Sequence, residues 1–381
     1  ISKSIANRLL ILQAIHGDEL MPVSDSMPDD VRIMSEAIGL LGERREARID
    51  LGNCGTAMRF LTAYCAQLEG QTTILDGVER MHHRPIGQLV DALREIGADI
   101  EYLGEEGFPP LRIKGCILDK HRIVTINNPL STQYISALLL IGANVITNST
   151  SPYIYITQEV IKQYQLSPFS FHISVEKDWS SAAFWYEYVA LHGGEITLPG
   201  LSRDSLQGDK IVADIFAHLG VHTIYTDEGI TIKKDNEFLI QQHKQLNPTT
   251  LRGNQLPAAP GAKANNPCRS RELIRAEVVD IVVDNTLSLD FANCPDLYPV
   301  VALTCERLGI EIHATGVESL PLKESDRLRA VNEHRTDHDH RMAMALLIAG
   351  YEVDDTACIS KSYPQFLEHF HHLQESNCSN L

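Results

Sequence analysis

Two short stretches carry the densest chemistry in the chain: Lys323-Glu324-Ser325-Asp326-Arg327 and Asp339-His340-Arg341-Met342-Ala343-Met344. Residues four apart share a helix face, so the spacing predicts Lys323 and Arg327 side by side with Glu324 at their edge. Asp339 precedes an apolar run to Ala349 and is expected to cap that helix, with His340 and Arg341 in its first turn. Helix N-termini attract anions. Together these features predict a site for a small, highly charged anion with acid/base groups at hand.

Several other helices begin in the same way. Ser2-Lys3-Ser4 opens an apolar helix to Ile15, with Ser4 and Arg8 on one face. Leu51-Gly52-Asn53-Cys54-Gly55-Thr56 leads into a helix over Ala57–Gln67 and offers backbone N–H groups and a hydroxyl. It lacks the spacing of a Walker A loop or a dinucleotide fingerprint. Pro85, placed first in a helix to Ile96, would set Arg84 on the helix rim. Ser131-Thr132-Gln133 opens a helix over Ile135–Ile141, and Asp178-Trp179-Ser180-Ser181 one over Ala182–Leu191. Asp296 stands before a buried helix, Leu297–Leu308, and offers a further carboxylate. Each start alone reads as an ordinary cap; their recurrence argues for function.

The background makes these basic groups informative. Net charge is −17, from 33 basic and 50 acidic residues, which argues against nucleic acid or an anionic membrane as partner. Eight scattered cysteines without a CxxC fit a reducing cytosol, with neither a disulfide frame nor a zinc ribbon. No apolar run approaches the roughly 18 residues of a membrane span.

A length of 381 residues predicts two domains. The order helix end, strand, turn and strand over 97–114 recurs over 219–234, which points to copies of one α/β unit. Asn236–Arg275 reads as a long loop, followed by strands at Val278–Val283 and Leu287–Asp290. A third hairpin is due between Arg327 and Asp339 but has no room there. That spacing, and a similar junction near Asn144–Ser151, are read as chain joined across absent residues. The opening at Ile1, directly in a motif, suggests a preceding N-terminal strand.

Taken in order, Ser2-Lys3-Ser4 with Arg8, Asn53-Cys54-Gly55-Thr56-Ala57-Met58-Arg59, Arg80-Met81 with Arg84-Pro85-Ile86, Ser131-Thr132-Gln133 and the two opening stretches resemble the 5-enolpyruvylshikimate-3-phosphate synthase family of enolpyruvyl transferases. The resemblance implies an α/β (α+β) fold of two similar lobes, each of three βαβαββ units around buried helices. It divides the chain into 1–223 and 224–381 and assigns the missing strand to the second lobe. It also implies transfer of the enolpyruvyl group from phosphoenolpyruvate to shikimate 3-phosphate through a tetrahedral intermediate, with release of phosphate.

By the same resemblance, shikimate 3-phosphate would be held by Lys3, Ser4, Arg8, Ser131, Thr132, Gln133, Ser181, Asp296 and Lys323. Phosphoenolpyruvate would be held by Lys3, Gly55, Thr56, Arg84, Gln133, Arg327, His340, Arg341 and Lys361. Asp296 would take the hydroxyl proton, while Glu324 and Lys3 manage the proton on the methylene carbon. The expected enzyme is a cytoplasmic monomer that needs no cofactor or metal. Cys54, Phe60, Phe184 and Ser319 depart from residues common in the family.

Three other readings rank lower. The sister transferase acting on a UDP-amino sugar places a reactive Cys in a first-lobe loop, and Asp76–Arg84 has none. A metal-dependent hydrolase is suggested only by the crowding of His334, Asp337, His338, Asp339 and His340. A non-catalytic anion-binding relative would not need both Asp296 and Glu324.

Overall fold

The computed structural model describes residues 2–43, 45–166, 176–235 and 285–378. Helices α1 (Lys3–His16) and α2 (Asp29–Glu43) precede β1 (Glu46–Asp50), α3 (Gly55–Ala66), β2 (Thr72–Asp76), α4 (Gly87–Glu95), β3 (Asp99–Tyr102) and β4 (Leu111–Lys114). The strands form a sheet of order β1-β2-β4-β3, with β1 and β2 parallel and β4 antiparallel to both its neighbours. A parallel pair needs a crossover, and α3 supplies it. The register sets Ile49 beside Leu75 and Leu75 opposite Leu111, three side chains withdrawn from water. This is one complete βαβαββ unit.

Parts of the unit recur. β5 (Ile123–Thr125), α5 (Thr132–Leu140), β6 (Asn144–Ile146) and α6 (Pro152–Leu166) repeat its first half, with β5 and β6 parallel. α7 (Trp179–His192), β7 (Glu195–Pro199), α8 (Val212–Ala217), β8 (Val221–Tyr225) and β9 (Gly229–Lys234) repeat its later part, in a sheet of order β7-β9-β8. β10 (Thr286–Asp290), α9 (Tyr298–Leu308), β11 (Glu311–Thr315) and α10 (Arg327–Glu333) give the first half again, before α11 (His340–Ile348) and α12 (Phe366–Cys378). The two hairpins expected near 97–114 and 219–234 are thus β3-β4 and β8-β9.

Two apolar cores organise these pieces. Residues 6–164 build one, with α1, α3 and α5 packed on one another; residues 179–370 build the other, with α7, α9 and α11. Helices apolar on every face must be enclosed, and among the described residues each lobe encloses three. The cores divide between Tyr164 and Trp179. The expected boundary at 223–224 falls instead inside β8, because the buried α7 packs on α9 and α11.

Other expectations change as well. Lys323 is extended at the end of a 3-10 turn, Leu320–Leu322, and Asp326 caps α10, so 323–327 is not one helical face. Pro85 precedes α4 rather than opening it: Arg84 is extended, as a residue before proline prefers, and the Ile86 N–H donates to the Gly107 carbonyl at 2.8 Å. No hairpin separates α10 from α11, nor β6 from α6. The loop and strand expected over 236–283 lie outside the described residues.

Glu187 of α7 is fully buried, and neither carboxyl oxygen has a hydrogen-bond partner. Burial pushes its pKa well above the ordinary 4.5. The folded protein therefore keeps a proton that the unfolded chain releases as pH rises past that value. Folding loses about 1.4 kcal/mol per pH unit until the folded pKa is reached. We expect Glu187→Met to stabilise the protein in urea unfolding by more at pH 7.5 than at pH 5.5, by up to about 1.4 kcal/mol per pH unit. An equal gain at both pH values would show that Glu187 is not held neutral.

Candidate active site

All six enclosed helices begin at one cleft. Lys3 and Ser4 of α1, Gly55 and Thr56 of α3, Ser131–Gln133 of α5, Asp178 and Ser180 of α7, Asp296 ahead of α9, and His340 and Arg341 of α11 line it together. The positive ends of six helix dipoles thus face one space. Side-chain caps settle several starts: Ser131 accepts from Gln133 N, Asp178 from Ser181 N and Asp339 from Arg341 N. Gly55 leaves room for two guanidinium groups: an added Cβ would lie 2.5 Å from Arg84 Nη2 and 2.6 Å from Arg59 Nη1 and would displace them.

Arg327, 1 % exposed, holds the second-lobe wall. Its Nε donates to Asp339 Oδ2 at 2.7 Å, Nη1 to Asp296 Oδ1 at 2.7 Å and Nη2 to Glu324 Oε2 at 2.9 Å. Asp296 also meets Lys323 Nζ at 3.3 Å and Arg341 Nη2 at 3.0 Å. Glu324 meets Lys361 Nζ at 3.1 Å and, across the cleft, Arg84 Nη2 at 3.7 Å. Burial alone would raise both carboxyls. For Asp296, Arg341, Lys323 and Arg327 outweigh it; for Glu324, Lys361, Arg84 and Arg327 do, and both stay well below the carboxylate range.

The first-lobe wall is also cationic. Lys3 Nζ lies 2.9 Å from Asp30 Oδ2; burial opposes the ammonium, but Asp30 and Glu324 favour it and the net shift is upward. Arg8 donates to Thr157 Oγ1 at 2.7 Å and to the Ser4 carbonyl at 2.6 Å, and burial lowers it to about 10. Gln133 Nε2 donates to Thr56 Oγ1 at 2.9 Å. His340 lines the cleft with no hydrogen bond to either ring nitrogen, its Nδ1 lying 3.8 Å from Asp339 Oδ1. Burial, followed by Lys3 and Arg341, holds it far below its usual range, so its ring is neutral.

Of the residues singled out in the sequence, Lys361 joins the cleft through Glu324 and through the Asn53 carbonyl at 2.8 Å. Ser181 does not join it: its hydroxyl donates to Asp178 at 3.3 Å, and it lines a separate cavity with Trp185 and Tyr363. Ser180 faces the cleft in its place. Asp30, the partner of Lys3, was missed, since an acidic pair at a helix start reads as ordinary capping. The crowded histidines and acids of 334–340 disperse to separate partners, His334 to Glu306, His338 to Asp355, and Asp337 to Arg329 and Arg335.

Two α/β lobes that meet at a cationic cleft, with two carboxylates fixed inside it, define a protein that handles small polyanions. The family model described as EPSP synthase (3-phosphoshikimate 1-carboxyvinyltransferase) matches residues 29–167, 141–262 and 331–370. A 3-phosphoshikimate 1-carboxyvinyltransferase of Bacteroides fragilis is 35% identical over 427 aligned positions, covering 96% of this chain and 92% of the relative. One of Paraburkholderia phymatum is 29% identical, covering 97% and 94%. The alignments are longer than the 381-residue chain, so the relatives carry segments that it lacks. An EPSP synthase structure from Acinetobacter baumannii superposes with a TM-score of 0.54 at 18% identity, covering 96% of this chain and 92% of that one, which shows the shared fold. The chain belongs to the EPSP synthase (3-phosphoshikimate 1-carboxyvinyltransferase) family.

Arg327 satisfies three carboxylates at once, one of them, Asp339, wholly buried. Lysine has one point charge and no planar fork. Arg327→Lys should therefore cost about 3 kcal/mol in urea unfolding, near the lower figure for breaking a buried ion pair. A loss below about 1 kcal/mol would mean that the carboxylates find other partners.

Proposed function

We propose that the chain transfers the enolpyruvyl group of phosphoenolpyruvate to the 5-hydroxyl of shikimate 3-phosphate, with the six-helix cleft as the site of reaction. The substrates bring two phosphates and two carboxylates together, and the cleft's cations and helix N-termini offset their repulsion. The observation that carries this reading is the pair Asp296 and Glu324, two carboxylates on one guanidinium with different second partners.

Asp296 is assigned as the base that takes the hydroxyl proton as the oxygen bonds to the enol carbon. The methylene carbon gains a proton from Glu324 or Lys3, giving the tetrahedral intermediate. It then returns that proton to the same group as the C–O bond to phosphate breaks, and the leaving phosphate carries off the hydroxyl proton held by Asp296, so the proton count closes. Glu324 is held in its charged form by Lys361, Arg84 and Arg327, which suits a base rather than an acid. Phosphoenolpyruvate would draw those same cations toward its own charges and add negative charge nearby. Both effects raise the Glu324 pKa and prepare it to carry a proton.

Lys3, Arg84, Arg327, Arg341 and Lys361, with Gly55, Thr56, Gln133 and His340, are assigned to phosphoenolpyruvate. Ser4, Arg8, Ser131, Thr132, Gln133 and Lys323, together with Lys3 and Asp296, are assigned to shikimate 3-phosphate. Ser180 takes the role that the resemblance gave to Ser181. One chain supplies every group, which supports action as a monomer, and the free thiols among the described cysteines suit a reducing cytoplasm. No described helix is long and apolar enough to cross a membrane.

Phosphate release from phosphoenolpyruvate that depends on added shikimate 3-phosphate tests the reaction, and its absence with folded protein would reject it. Glu324→Gln is expected to keep substrate binding while turnover falls at least about a hundredfold. Unchanged turnover would remove Glu324 from its role.

A further inference from the structure

Arg80 has no part in the assignments above, yet it joins the lobes. Its Nη2 donates to the Pro321 carbonyl at 2.8 Å and to the Lys323 carbonyl at 2.9 Å, and its Nε donates to the latter at 3.2 Å. Pro321 lies in the 3-10 turn Leu320–Leu322 and Lys323 caps its end, where carbonyls lack the partners of a longer helix. Arg80 itself lies in a 3-10 turn, Glu79–His83, fixed to the first lobe. Met81 is fully buried there, His82 bonds Asp76 at 2.8 Å, and an added Cβ on Gly77 would collide with the Gly52 carbonyl. One turn on, Arg84 faces Glu324. Lys323 and Glu324 lie outside any helix, so their backbone is not set by helical hydrogen bonds.

We propose that Arg80 is a positioning residue for the acid/base group. It grips the 321–323 backbone from the opposite lobe, so that Glu324 is aligned with Arg84 and Lys361 only when the lobes meet. The role rests on the reaction assigned above, but its first test needs no turnover. In hydrogen–deuterium exchange, Arg80→Ala should speed amide exchange over 320–326 at least about tenfold and leave α4 unchanged. In the phosphate-release assay it should lower kcat about thirtyfold with KM within about threefold, and Arg80→Lys should restore part of the loss. In a Glu324→Gln background the same change should cost less than about threefold. Unchanged exchange over 320–326, or an equal kcat loss in that background, overturns the proposal. Phosphate release by the wild-type chain decides the reaction separately.

Discussion

A guanidinium buried under three carboxylates is the constraint on which this molecule depends. Arg327 has no water to fall back on, and removing any partner would leave charge stranded in a low dielectric. The interaction ties Asp339, the cap of α11, to Asp296, ahead of α9, and to Glu324, before α10. Three second-lobe helix starts are thereby fixed relative to one another. Such a network contributes little net stability compared with an apolar core of equal volume. What it contributes is geometry.

That geometry is unfinished within the second lobe. Glu324 reaches Arg84 of the first lobe, Lys361 reaches the Asn53 carbonyl, and Arg80 reaches the 321–323 backbone. Glu324 is thus held by groups of both lobes at once, so its alignment depends on their apposition. In this structure the cleft's cations rest on its own carboxylates. A polyanionic substrate would exchange partners with them rather than find bare charges, which lowers the cost of gathering like charges before binding.

Much of this was legible in the sequence because helix starts have local signatures. Ser131, Asp178 and Asp339 cap where their residue types predict, and Lys3, Thr56, Gln133, Asp296 and Arg341 do line one cleft. The failures share a cause, which is that tertiary contacts decided. Lys323 and Arg327 converge on Asp296 without sharing a helix face, since Asp326 starts a new helix between them. Ser180 and Ser181 are indistinguishable as letters, and the cap bond to Asp178 turns one away. Asp30 matters through Lys3, and Arg80 through a backbone some 240 residues away; neither leaves a local pattern. The lobe boundary depended on where the all-apolar α7 packs, and periodicity is silent on that.

The placement of the site also separates its groups from the outer covering of the lobes. The groups that line the cleft sit at the N-terminal ends of enclosed helices, whereas strands pack against other faces of those helices. Only β1-α3-β2-α4-β3-β4 forms a whole unit among the described residues, yet α9 and α11, which no described hairpin follows, still present Asp296, His340 and Arg341 to the cleft. A hairpin on those faces adds stability roughly in proportion to the apolar area it buries. It leaves the aim of the helix N-terminus unchanged as long as the three-helix core and the Arg327 network hold. In this architecture the covering is separable from the chemistry, and the buried guanidinium keeps them so.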